Sequence, residues 1–225
     1  MVVALTFLSD YGPALAAFAA FAVFHSVCAH EPFKDALARV TGRFFVDHFW
    51  RAAYCALSLA ALYNVISALL WARNLDHNIW LFVYPDWLWS AITILHLGSV
   101  ALIYVAFVQS DYLEFLGIKQ AWHGALVLVG ARTPRAPALF GTDRLVVSGV
   151  YRWIRHPMLS GGLLFLLTSG PSLNNLVYTG MYLIYMVIGG YYEERRLIHI
   201  FSHDYLRYRE RVGAFFPRLR PRLAG

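Results

Sequence analysis

Long stretches without formal charge recur along the chain, separated by short polar segments. Residues 11–29, 52–72 and 87–108 each hold such a run, the last with His96 inside it. Each is close to the roughly 20 apolar residues that a helix needs to cross a bilayer. Residues 157–171 form a shorter uncharged run, and residues 175–192 follow almost at once. The pattern predicts about five transmembrane helices. Residues 121–130 are apolar but too short to span, and read as re-entrant, interfacial or buried. The only charge ahead of the first run is Asp10. A secretory signal begins with positive charge instead, so the first run is expected to be a retained span.

The cations test this count. Eighteen of the 19 Lys and Arg fall between the first and second runs, between the third and fourth, or after the fifth. Only Arg73 falls elsewhere. With five spans, all three basic regions share one side, as positive-inside sorting requires. The N-terminus is then expected outside and the C-terminus in the cytoplasm. Trp71, Trp80, Tyr84, Trp87 and Trp89 cluster around the second outer loop, where aromatic rings favour the interface. Gly170-Pro171 marks a tight turn that makes the last two runs an antiparallel hairpin. Gly161, Gly162, Gly180, Gly189 and Gly190 would allow close helix approach there. The expected fold is therefore an all-α integral membrane protein with an amphipathic cytoplasmic C-terminal helix. Its expected division is residues 1–140, holding the N-terminal spans and a linker, and residues 141–225, holding the hairpin and the final helix.

Composition narrows the classes. The set AVILMFWYC makes up 59% of the 225 residues and charged residues only 14%, against about 25% charged in soluble domains. A disordered chain, a nucleic-acid arm and a disulfide scaffold are excluded. The formal net charge of +6 suits anionic lipid or an anionic ligand rather than nucleic acid. Cys28 and Cys55 lie inside expected spans and read as small buried hydrophobes. Gly-rich nucleotide loops and the G-x-S-x-G elbow are absent from the sequence.

Polar chemistry gathers in three places. Gly149-Val-Tyr-Arg-Trp-Ile-Arg-His-Pro157 leads into the fourth run. Pro157 suits a first helical turn, whose free N–H groups attract anions. His156 adds a ring hydrogen bond, and Gly161 could let a ligand lie against the backbone. Glu193-Glu194-Arg195-Arg196 follows the fifth run, either as a solvated helix exit or as acceptors for a ligand amine or ribose. Residues 197–217 form an amphipathic segment with Leu197, Ile198, Phe201, Tyr205 and Tyr208 on one face, fit for headgroups or for a lid. His199 with His203, and His25 with His30, lack the carboxylate-rich company of a membrane metal centre, and no metal site is expected.

In order, Leu145 to Pro157, an apolar hairpin, Glu193-Glu194-x-x-Leu197, Phe201-x-x-x-Tyr205-x-x-Tyr208 and a closing Phe-Phe-Pro217 resemble the integral-membrane methyltransferases. That superfamily includes isoprenylcysteine carboxyl methyltransferase and phospholipid N-methyltransferases. The match covers roughly residues 141–220. Phe24-His25-Ser26, Trp50-Arg51-x-x-Tyr54 and Leu116-Gly117-Ile-Lys-Gln120 bring the whole chain nearest to the NnrU-like group that contains bacterial methanethiol S-methyltransferase.

The resemblance implies S-adenosylmethionine as cofactor, a small lipophilic thiol as acceptor, and a bacterial inner membrane. It implies cofactor contacts at Gln120, Gly149, Tyr151, His156, Pro157, Gly161, Glu193, Glu194, Tyr205 and Tyr208. Leu159 stands where the family commonly has Tyr, and Ser202 where many relatives have Gly. Methyl transfer from a sulfonium needs alignment and exclusion of water, and a thiol reacts as thiolate. His25, Arg51 and Arg155 are the candidates for favouring that thiolate. Methylation of a prenylcysteine carboxylate or a lipid amine, and a non-enzymatic accessory role, are the alternatives.

Overall fold

The computed structural model describes residues 2–74, 80–133 and 144–218, with the backbone alone at residues 2–8 and 69–74. The expected boundary at residues 140/141, Arg135, Arg220, Arg222 and the side chains of Trp71 and Arg73 lie outside the described set. The described residues build helices and two isolated bridges, Trp80 with Ser172 and Ile154 with Gly213.

The helices are α1 (Val2–Ala29), α2 (Glu31–Thr41), α3 (Arg43–Phe45), α4 (Arg51–Asn74), α5 (Asp86–Gln109), α6 (Tyr112–Phe115), α7 (Ile118–Leu128), α8 (Pro157–Thr168) and α9 (Leu173–Arg211). A π-helical turn, Val46–Trp50, joins α3 to α4, and a 3-10 turn, Gly149–Arg152, precedes α8. Three helical stretches are long and apolar enough to cross a membrane: Ser9–Ala29, Arg43–Ala68 and Asp86–Gln109. They match the first three expected spans, and the chain is a helical membrane protein. The fourth run is a helix of 12 residues, about 18 Å long at the α-helical rise. The fifth lies within the 39 residues of α9, which carries the apolar stretch straight into Glu193–Arg196.

Two compact units form. The first joins Met1–Asn78 to Leu113–Phe140, and the second joins Ile79–Tyr112 to Gly141–Gly225. In the second unit α5 packs on α8.

In the first unit α1 packs along α4, and α7 lies against the π turn and α4. Gly117 makes the last approach possible. Its φ is +78°, and a Cβ there would stand 2.5 Å from the Ala52 backbone nitrogen, so only glycine fits. The apolar segment read as too short to span is thus most of α7. Cys28 and Cys55 are both free.

In the second unit, the α8–α9 turn follows from its residues. Ser172 caps α9 by accepting from the Asn175 N–H at 3.3 Å. The Asn175 amide donates to the Leu166 and Gly170 carbonyls, each at 2.7 Å. Gly161 is filled from the protein side: its Cβ would meet Ile103 at 2.7 Å and the Ser99 carbonyl at 3.2 Å. The missing side chain admits α5.

Candidate functional site

The site is built within the second unit from the start of α8, the middle of α9 and the tail. Pro157 opens α8 and is fully buried. His156, just before it, is also buried. Its Nδ1 lies 3.2 Å from Glu193 Oε2 and its Nε2 3.3 Å from Glu194 Oε1. Carboxylates only accept, so both ring nitrogens are placed as donors, the arrangement of an imidazolium. Burial opposes that charge, but Glu193 and then Glu194 outweigh it and hold the His156 pKa above its ordinary value.

Arg155 completes the cluster. Its guanidinium is 2.5 Å from Glu194 Oε1, with the Arg155 side chain 7% and the Glu194 side chain 18% exposed. It also donates to the Arg209 carbonyl at 3.0 Å. Glu194 is thus held by Arg155 and His156 on one oxygen, with Arg209 Nε 3.9 Å from the other, while the Glu193 side chain remains 53% exposed. A helix carrying adjacent glutamates can aim both at one target because His156 reaches one with each nitrogen.

The tail closes over this cluster. The Arg155 and His156 N–H groups donate to the Gly213 and Ala214 carbonyls at 2.9 and 3.0 Å. Ser160 donates to the Phe215 carbonyl at 2.7 Å. Phe215 stands with its ring centroid 5.5 Å from that of His156 and packs where Gly190 has no side chain. α9 is broken at Ser202, whose φ of 46° and ψ of −116° interrupt the helix, and it ends at Val212, whose extended backbone starts the tail.

Beyond the break, Tyr205 and Tyr208 enter the site. Tyr208 donates to the Tyr151 carbonyl at 2.5 Å, and Tyr151 donates to the Ala106 carbonyl at 3.2 Å. Burial, helped by Glu193 and opposed by Ser110, pushes the Tyr151 pKa up to about 12. Burial also raises Tyr205 and Tyr208, which therefore remain neutral donors. Tyr205 is only 1% exposed, and its hydroxyl has no hydrogen-bond partner among the described residues. The same holds for Arg155 Nε. Gly149, at φ +60°, fits because Gln109 fills the space a Cβ would take.

Buried donors without partners beside a half-exposed carboxylate suit a ligand that carries both an acceptor and a cationic group. Tyr151, His156, Pro157, Glu193, Glu194, Tyr205 and Tyr208 therefore come together. So does Arg155, as the group that positions Glu194. Gln120, His25 and Arg51 belong to the first unit. There His25 shares a hydrogen bond with the Tyr54 hydroxyl at 2.8 Å, and Arg51 donates to the Phe115 carbonyl at 2.9 Å. Sequence reasoning missed the tail's backbone pairing with residues 154–156, since Gly213 and Ala214 carry no polar side chain to signal it.

Fold and site define a helical membrane protein with a buried polar cluster at the α8–α9 hairpin. The family described as NnrU protein matches residues 14–214, and the chain belongs to that family. It is 33% identical over 203 residues to the methanethiol S-methyltransferase of Pseudomonas deceptionensis, covering 89% of this chain and 70% of that protein. It is 28% identical over 201 residues to methanethiol S-methyltransferase 1 of Bradyrhizobium diazoefficiens, covering 88% and 64%. It is also 28% identical over 206 residues to the methanethiol S-methyltransferase of Mycobacterium tuberculosis, covering 88% and 74%. No solved structure matches the chain.

Proposed function

We propose that the protein is a membrane methyltransferase that uses S-adenosylmethionine to S-methylate a small thiol such as methanethiol. The observation that carries this reading is the His156–Glu193–Glu194 cluster beside the buried, unpartnered Tyr205 hydroxyl. The names of the relatives support the chemistry. Tyr205 and Arg155 Nε offer donors to the ligand's carboxylate or hydroxyls. Glu193 offers an acceptor to its amine or ribose. When bound, the cofactor supplies an electrophilic methyl group on a positively charged sulfur.

The chain's own task is then to fix that group and exclude water. Glu194, clamped by Arg155 and His156, fixes the α9 side of the cluster to the start of α8. Tyr208 fixes α9 beyond its break to the 3-10 turn. The tail covers His156. Gly149 and Gly161 shape the unit's packing. In this reading α8 and the first half of α9 also lie in the bilayer, giving five spans in a bacterial inner membrane, with the N-terminus outside and the C-terminus in the cytoplasm. Residues 141–225 serve the methyl donor. Acceptor contacts lie within residues 1–140, where His25 and Arg51 stand.

The test is calorimetry with S-adenosylhomocysteine on the detergent-purified protein. His156→Ala and Glu194→Ala are expected to weaken binding while the protein still accumulates; unchanged affinity would refute the site. Headspace detection of methylated volatile thiols separates a thiol acceptor from a carboxylate or a lipid amine.

A further inference from the structure

A second group of buried polar atoms lies in the first unit. His48 sits in the middle of the π turn and is 4% exposed. Phe44 stacks on its ring at 4.3 Å between centroids, and His123 of α7 stacks on it at 5.6 Å, tilted by only 13°. Its Nδ1 lies 3.0 Å from the Phe44 carbonyl oxygen. A carbonyl only accepts, so Nδ1 donates to it, and Nε2 is the nitrogen left to accept. That Nε2 is buried and has no partner among the described residues. His123 Nε2 and Gln120 Oε1 are buried and unpartnered in the same way. Gln120 is three residues before His123 on one face of α7. Gly124, beside them, lets α7 close on His48, since a Cβ there would stand 2.6 Å from the His48 Cβ.

Such a group calls for a ligand that donates. A metal ion fits poorly, because among the described residues no three His, Cys, Asp or Glu side chains gather to hold one. On the elements packed against the turn, Glu31 pairs with Lys34, and Asp35 and Asp47 pair with Arg43. Arg51 donates to the Phe115 carbonyl. Arg39 of α2, Lys119 of α7 and, near the other end of α4, Arg73 are the other charges on those elements, and His123 is the ionisable ring stacked on His48. An acceptor lone pair among Phe44 and Phe49 rings suits a small apolar donor.

We propose that His48 binds the acceptor thiol and takes its proton, with His123 and Gln120 as polar neighbours. This rests on the thiol methyltransferase reading above. The S–H bond breaks, the proton forms an N–H bond at His48 Nε2, and the electron pair stays on sulfur. The resulting thiolate is the nucleophile that methylation consumes, and the imidazolium returns its proton to solvent afterwards. The Phe44 carbonyl fixes the tautomer that makes Nε2 the acceptor.

The experiment uses ethanethiol and the full-length protein, wild type and His48→Gln. First, kcat/KM for ethanethiol is followed upward from about pH 6 into the range in which this alkanethiol ionises unaided, well above the roughly 8.5 of free cysteine. The wild type is expected to level off below that range. The variant is expected to lose about 100-fold at neutral pH, a usual size for general-base catalysis, and to recover as the thiol ionises by itself. A pH-independent loss, no loss, or a wild-type rate that keeps climbing with free thiolate would overturn the proposal. Second, the ultraviolet thiolate band of ethanethiol is recorded with the protein in the absence of any methyl donor. A band at neutral pH in the wild type but not the variant is expected; its absence from the wild type would leave the cluster holding only a water, and the proposal would fall. S-adenosylhomocysteine calorimetry is run on both proteins. Equal affinity shows that the variant is folded, whereas no binding to the wild type would sink the donor site and not this one.

Discussion

Removing the Tyr205 hydroxyl separates a ligand contact from a folding contact. The ring is 1% exposed and the hydroxyl has no partner among the described residues. A buried polar group left unsatisfied costs about 1–3 kcal/mol. Tyr205→Phe removes that cost and keeps the ring packing, including its edge contact with Tyr208 at 6.0 Å between centroids. The ligand-free variant should therefore be at least as stable as the wild type, by up to about 1 kcal/mol once imperfect repacking is allowed. If the hydroxyl donates to the bound donor molecule, a neutral hydrogen bond of about 0.5–1.5 kcal/mol is lost, which approaches a tenfold weaker Kd. Thermal unfolding without ligand and calorimetry with S-adenosylhomocysteine give the two signs. A lower melting temperature would show a folding contact instead, and an unchanged Kd would show that no ligand uses the hydroxyl. Either result refutes the reasoning.

Ser202→Gly should stabilise the protein by about 1 kcal/mol: a side chain at φ 46° costs about 1–3 kcal/mol, of which glycine's freedom when unfolded returns about 0.5–1. A lower melting temperature for this variant would mean that Ser202 is held there by a favourable contact. His156 should make stability depend on pH. Its folded pKa is raised, so its contribution is complete below the unfolded value of about 6.5 and is lost as pH rises through the folded value. The melting temperature should fall across that window in the wild type and stay flatter in His156→Gln; parallel profiles would contradict the pairing with Glu193 and Glu194. Gly161→Leu should destabilise by about 1–3 kcal/mol by forcing α8 off Ile103 and Ser99 of α5, and an unchanged melt would mean that this face is open.

Different parts of this molecule were legible to different degrees. The runs ending at Ala29 and Val108 could be read directly, because an uncharged stretch of that length has few uses besides crossing a bilayer. Gly170-Pro171 announced the α8–α9 turn for a similar reason. The end of α9 was harder. Glu193–Arg196 resembles a helix exit, yet the helix runs through it because His156 and Arg155 neutralise the glutamates. That pairing joins residues about 40 positions apart, and only the ordered motif hinted at it. The close approach of α5 at Gly161 was not legible, since hydropathy cannot say which helix packs there. His48 and His123 carried no local signal at all. Their meeting depends on α7 folding back against the π turn, and the unpartnered nitrogens exist only once that packing is made.

The central claim is thiol methylation by this chain, and it can be measured without any variant. Purified protein is given S-adenosylmethionine and methanethiol in a sealed vessel, and the headspace is assayed for dimethyl sulfide while S-adenosylhomocysteine is counted in solution. The account predicts that the two products rise together in equal amounts. Failure of both to form, by protein that is folded and in membrane-like detergent, would contradict it.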